Sequence, residues 1–102
     1  MTESDVTMVR VYLHEAKARM QELLEYLHEE SKVQGVTVFR GITGFGSSGQ
    51  YHAASLIDMS LDLPVVIEFF DEPQRVRAII RHLNTIIKPG HIVYWTAKIN
   101  LV

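Results

Sequence analysis

The sequence predicts one α+β domain spanning residues 1–102, built in the order strand, helix, strand, strand, helix, strand. Three observations carry that reading. Apolar residues alternate with a period of two near the start, in the middle and at the end of the chain. Two stretches between them switch to helical spacing. With 102 residues, 47% of them hydrophobic and 22% charged, there is material for one core and for no second domain. The order is the split βαβ, or ferredoxin-like, pattern: an antiparallel sheet with two helices on one face.

Each element has its own local reason. After five polar residues, Thr7, Val9, Val11 and Leu13 point one way while Met8, Arg10, Tyr12 and His14 point the other. Ala16, Met20, Leu23, Leu24 and Leu27 then recur on one helical face, with Lys17, Arg19 and Glu22 off it and Glu15 placed to pair with Arg19 at i, i+4. Gly35 is expected to stop that segment, and Val36 to Thr43 reads as one β-rich run. Gly44, Gly46 and Gly49 make the next six residues a loop, expected to be mobile because only Phe45 anchors it. Gln50 to Asp62 is compatible with a ragged strand, a short helix or a folded-back loop. Leu63-Pro64-Val65-Val66-Ile67-Glu68-Phe69-Phe70 is the strongest strand, with Pro64 at its start, where a missing donor is tolerated. Asp71-Glu72-Pro73 reads as a helix start with an acidic cap, and Val76, Ile79, Ile80, Leu83 and Ile87 form the stripe that follows. Arg75, Arg77 and Arg81 lie off the stripe as a solvated face, and Lys88-Pro89-Gly90 ends the helix. The last strand runs from about Ile92 to Ile99.

Both faces of several strands are apolar. Val65, Ile67 and Phe69 alternate with Val66 and Phe70, and Val93 and Trp95 alternate with Ile92 and Tyr94. Helices cover only one face of such a sheet, so the other is expected to be an association surface. Phe39, Phe69 and Trp95 are assigned to core or interface rather than to ligand stacking.

Composition excludes several function classes. A net charge of -2 supplies no basic excess for phosphates along a duplex, against nucleic-acid binding. With no cysteine, disulfides, thiolate metal sites and cysteine nucleophiles are ruled out. The apolar runs fall short of a membrane span, and the acidic start Met1 to Asp5 does not read as a signal peptide, so a cytoplasmic protein without membrane insertion is expected.

Candidate chemistry is sparse. Gly44-x-Gly46-x-x-Gly49 has the dinucleotide spelling, but only 14 residues separate Gly49 from Pro64, short for a crossover helix. The same loop can meet an anion through backbone N–H groups or simply be a flexible turn. None of the five histidines, His14, His28, His52, His82 and His91, has a second ligand at metal spacing; His52 and His91, near loop ends, are the better site candidates. No carboxylate pair is forced together, and Ser47 and Ser48 have no nucleophile elbow around them. No catalytic residue, no metal site and no enzyme activity is expected.

Two stretches carry a resemblance. Arg40-Gly41-x-x-Gly44-Phe45-Gly46-x-x-Gly49-x-x-His52, followed by Ser60-x-Asp62-Leu63-Pro64-Val65-Val66-Ile67-Glu68, resembles a family of short, uncharacterised PII-like proteins over Val9 to Ile99. The resemblance implies a ferredoxin-like, PII-like fold and a homotrimer. It implies an effector, an adenine nucleotide among the candidates, in clefts between subunits. The positions it points to are Arg40, Gly41, Gly44, Phe45, Gly46, Gly49 and His52, with Lys88 and Gly90 in a second loop. In PII proteins the corresponding first loop is longer and the second richer in glycine. Basic C-terminal residues hold phosphates there, whereas this sequence ends at Val102, so a smaller nucleotide, another effector or no ligand stays open. Relatives of the short family often accompany membrane ion channels, which implies a transporter or channel as the regulated partner.

Two function classes therefore stand. One is a regulatory module that senses a small molecule and presents residues 44–62 to a partner. The other is a small metal-handling protein or enzyme on the same scaffold, as in trimeric cation-tolerance proteins or dimeric α/β-barrel oxygenases. Fold does not choose between them.

Overall fold

The computed structural model describes residues 2–14, 18–45, 51–53 and 63–101; at 14, 18, 43–45 and 51–53 it describes the backbone. The expected order is present. Strand β1 spans Glu3–His14, helix α1 Ala18–Glu25 and strand β2 Val36–Arg40. Two short strands follow, β3 at Thr43–Phe45 and β4 at Tyr51–Ala53. Strand β5 is Pro64–Asp71, helix α2 Pro73–Leu83 and strand β6 Ile92–Asn100. Four strands pair in the order β2-β5-β1-β6, all antiparallel, while β3 and β4 form a separate hairpin.

The period-two pattern sorts the sheet residues onto two faces. Val9 and Val11 of β1 and Val65, Ile67 and Phe69 of β5 are buried against the helices. Leu23 and Leu27 descend from the first helical segment, and Val76, Ile79 and Leu83 from α2, to complete the core. Burying each such side chain stabilises the fold by roughly 1.5–3 kcal/mol.

Several boundaries differ from the sequence reading: α2 ends at Leu83, not at Lys88-Pro89-Gly90, because the chain turns from Asn84, and Gly44 and Phe45, expected in the glycine loop, pair as strand. The first strand begins at Glu3 rather than after five polar residues, because its start pairs with the end of β6, Glu3 facing Asn100 and Asp5 facing Lys98. Helix α1 widens into a π-helical turn at Tyr26–Glu30, where the amide of Ser31 donates to the carbonyl of Tyr26. It is Lys32, at φ 54°, that takes the left-handed conformation after this turn; Gly35 has no positive φ. The expected run from Val36 to Thr43 breaks at Gly41.

The second helix starts as its composition predicts, with Pro73 in the first turn. The N-cap residue is Glu72, which makes no side-chain cap hydrogen bond, so the expected acidic cap is absent; instead the carboxylate of Asp71, at the end of β5, accepts from the amide of Glu72 at 2.7 Å and meets Arg75 Nε at 3.2 Å. Arg75 also donates to the carbonyl of Ser31, so it ties the two helical segments together rather than belonging to a purely solvated face. The Tyr26 and His82 rings stack across the same junction, their centroids 4.0 Å apart. The Glu15–Arg19 pair, the Ala16 position, the glycines at 46 and 49 and the whole of 54–62 lie outside the described residues. Of the segment left open, Gln50 to Asp62, residues 51–53 are strand.

Candidate functional site

The register brings two of the expected site residues, Arg40 and Gly90, to one end of the four-stranded sheet. Arg40 faces Val65 and Val65 faces Leu13. The β1–β6 register, extended one step past His91, whose carbonyl accepts from Tyr12, sets Gly90 opposite Leu13. Arg40 and Gly90 thus close the two ends of one transverse row. With strands about 4.8 Å apart, three spacings separate β2 from β6 by about 14 Å. Arg40 and Gly41 therefore do not share a pocket with Lys88 and Gly90 within one chain.

A concavity lies at the β6 side. After α2 the chain turns through Asn84 to Ile87, the amides of Ile86 and Ile87 both donating to the carbonyl of Leu83. Ile87 is thereby drawn into the core, and Lys88 is left outside it. Gly90, at φ 88°, reverses the chain, and the His91 amide closes the turn on the Lys88 carbonyl. A cleft of about 320 Å³ opens there, lined by Tyr12, Leu13, Arg19, Ile86, Ile87, Lys88 and His91. Its floor is apolar and its rim carries two cations, Arg19 from α1 and Lys88 from the turn. Among the described residues neither cation pairs with a carboxylate. His91 Nδ1 is buried there and has no hydrogen-bond partner among the described residues. A buried polar atom without a partner is costly, so it marks a place for a donor or acceptor from outside. The arrangement suits a ligand with an apolar or aromatic body and an anionic end. Lys88, Gly90 and His91 were legible as site candidates; Arg19 was not, because on the sequence it is one more polar residue on a helix surface.

The remaining candidates divide. Gly41 has a structural reason to be glycine: a Cβ there would come within 2.9 Å of Pro64 Cγ and 3.2 Å of the Pro64 carbonyl oxygen. Its amide donates to that carbonyl at 2.7 Å. Arg40 closes β2 just before this contact. Gly44 and Phe45 lie on β3, and His52 on β4 stands opposite Gly44 in the hairpin register. Gly46 and Gly49 lie outside the described residues. Among the described residues no three His, Asp or Glu side chains cluster to hold a metal ion, and no helix is long and apolar enough to cross a membrane.

The described helices lie on one face of the sheet and leave the other uncovered. Tyr12, Phe39, Val93 and Trp95 are 41–48% exposed there, and Phe39 and Trp95 are therefore surface residues, unlike Phe69 in the core. Arg10 and Glu68 form an ion pair at 2.7 Å among them, and the guanidinium lies 5.7 Å from the centre of the Trp95 ring. The Arg10 pKa is raised above its ordinary value, first by the hydrogen bond to Glu68 and then by one to Tyr12.

Comparison with known proteins agrees with this architecture. A UPF0166 protein of Aquifex aeolicus is 24% identical over 94 residues, covering 90% of this chain and 94% of its own. Among solved structures, CPII from Thiomonas intermedia K12, described as a nitrogen regulatory PII-like protein bound to ADP, AMP and bicarbonate, superposes with a TM-score of 0.71. It is 16% identical and the match covers 98% of this chain and 91% of CPII. A PII-like signaling protein from Thermus thermophilus gives 0.67 at 13% identity, covering 100% of this chain and 94% of that one. The fold is PII-like, and the match of residues 6–99 to the model of DUF190 (Uncharacterized ACR) shows that the chain belongs to that family.

Proposed function

We propose that the protein is a PII-like regulatory module of the cytoplasm, and not an enzyme, that binds an adenine nucleotide of the size of ADP or AMP. The observation that carries the reading is the cleft beside Gly90: an apolar wall, two cations and a buried His91 Nδ1 that, among the described residues, have no ion-pair or hydrogen-bond partner. An adenine ring has the apolar surface for Tyr12, Leu13 and Ile86. Phosphates have the charge for Arg19 and Lys88. The ADP and AMP held by CPII favour this ligand class over the metal-handling alternative.

The working unit in this reading is a homotrimer joined through the open sheet faces. The exposed aromatic and aliphatic side chains of that face support it, since monomers rarely leave such a patch uncovered. In the trimer a neighbouring copy brings its own Arg40 and its own β3–β4 hairpin toward the cleft, which joins the two halves of the expected site that one protomer keeps about 14 Å apart. Ligand binding then biases the hairpin, and a partner protein reads its position. A membrane transporter or channel is the partner class to be tested.

Titration calorimetry with ADP, AMP and inorganic phosphate tests the ligand. Binding of ADP or AMP in the micromolar range, with phosphate alone much weaker, is the expected result. No heat from either nucleotide at millimolar concentration overturns the nucleotide reading. Light scattering at micromolar protein gives the mass, and a stable monomer overturns the trimer.

A further inference from the structure

The open face is not uniformly apolar. Its residues form transverse rows, and the middle row reads Thr37, Glu68, Arg10, Val93 across β2, β5, β1 and β6. On one side lies the row Phe39, Val66, Tyr12; on the other Phe70, Met8, Trp95. One ion pair thus sits in the centre of an apolar surface. Arg10 is held from two directions, by Glu68 and by the Trp95 ring, yet its side chain is 42% exposed and that of Glu68 is 21% exposed. Any body that covers the face must also cover this pair.

An apolar surface alone does not fix how two copies sit, because burial is non-directional. A fixed charge pair does: an offset copy would press aliphatic side chains onto ions that have lost their water, at a cost that apolar burial does not offset. We propose that the Arg10–Glu68 pair is the register lock of the contact between copies, with Arg10 of each copy set against Glu68 of the next. The occupant is a second copy of this chain because the face supplies both signs itself, a donor and an acceptor side by side, so a rotated copy meets each charge with its opposite. This rests on the assembly reading above and assigns to two residues the specificity of that contact.

The test is subunit exchange between tagged and untagged protein, read by native mass. Three forms are used: wild type, Arg10→Met, and the charge swap Arg10→Glu with Glu68→Arg, each first checked by circular dichroism for an intact melt. The lock predicts that the swap assembles with itself to the trimeric mass but does not mix with wild type, since Arg10 of one would meet an arginine of the other. Arg10→Met, which leaves Glu68 unpaired in the contact, dissociates at about tenfold or more higher protein concentration than wild type. A swap that mixes freely with wild type overturns the lock, whatever its effect on folding. A wild type that is monomeric throughout overturns the assembly reading itself, so the two failures are told apart.

Discussion

The amide of Gly41 donates to the carbonyl of Pro64 at 2.7 Å, and the two residues touch so closely that a Cβ on Gly41 would lie 2.9 Å from Pro64 Cγ. This contact closes β2 against the start of β5 and turns the chain out of the sheet toward the β3–β4 hairpin. Gly41→Ala has to push the Pro64 ring and its backbone apart. It is expected to destabilise the protein by about 1–3 kcal/mol, the usual range for overpacking. A denaturant midpoint unchanged from wild type would show that the contact is slack.

Lys32 and Gly35 make a pair of opposite predictions. Lys32 sits at φ 54°, in the left-handed region, where a side chain costs roughly 1–2 kcal/mol and glycine does not. Lys32→Gly is therefore expected to stabilise by up to about 1 kcal/mol after the added chain entropy is set against it. Gly35 has no positive φ, and a Cβ placed on it meets nothing within 4 Å. Gly35→Ala is expected to stabilise by about 0.4–1 kcal/mol, because it removes freedom from the unfolded chain without strain. Thermal unfolding checks both, and a loss of stability in either variant contradicts the backbone described here.

These two sites show where the sequence was readable. The strands and helices were, because the alternation of Val65, Ile67 and Phe69 with Val66, Glu68 and Phe70 and the stripe Val76, Ile79, Leu83 reflect burial directly. The start of β1 was not, because Glu3 to Asp5 are held by backbone pairing with Lys98 to Asn100 and by an exposed Asp5–Lys98 ion pair across the strands, neither of which leaves an apolar alternation. Propensity points to Gly35 as the helix stop, while the left-handed turn falls on Lys32. In the site, the turn Lys88 to His91 was legible from its proline and glycine. Arg19 was invisible because only tertiary packing carries it to the same cleft, and the break at Gly41 depends on Pro64, distant along the chain.

Asp71 is 6% exposed and serves two donors, the amide of Glu72 and the guanidinium of Arg75. Asp71→Ala leaves the Glu72 amide without its carboxylate acceptor and takes one partner from Arg75, which still donates to the Ser31 carbonyl. The expected cost is about 1–2 kcal/mol, in the range for losing a hydrogen bond to a charged group, with little added for an ion pair whose arginine is half in water. Asp71→Asn keeps an oxygen for the Glu72 amide and is expected to recover about half of that loss. Equal destabilisation by the two variants would place the effect in the charge rather than in the hydrogen bond from the Glu72 amide.

The cleft beside Gly90 yields the last prediction. Arg19 and Lys88 approach it from different elements, α1 and the turn before β6, and neither is held by a carboxylate among the described residues. Removing either leaves the core untouched, since both side chains are exposed. Lys88→Ala and Arg19→Ala are each expected to weaken ADP binding about tenfold, the scale of one charge-assisted hydrogen bond. The two cationic contacts act on one anion, so the double variant should lose less than the product of the single losses. Arg77→Ala is the control: Arg77 lines a separate groove between α2 and β6, and its removal should leave ADP binding as it was. Raising salt should weaken binding in wild type more than in the double variant, because only wild type has the cations to screen. If Arg77→Ala weakens ADP as much as Lys88→Ala does, the nucleotide sits elsewhere on the protein and the cleft beside Gly90 is not its site.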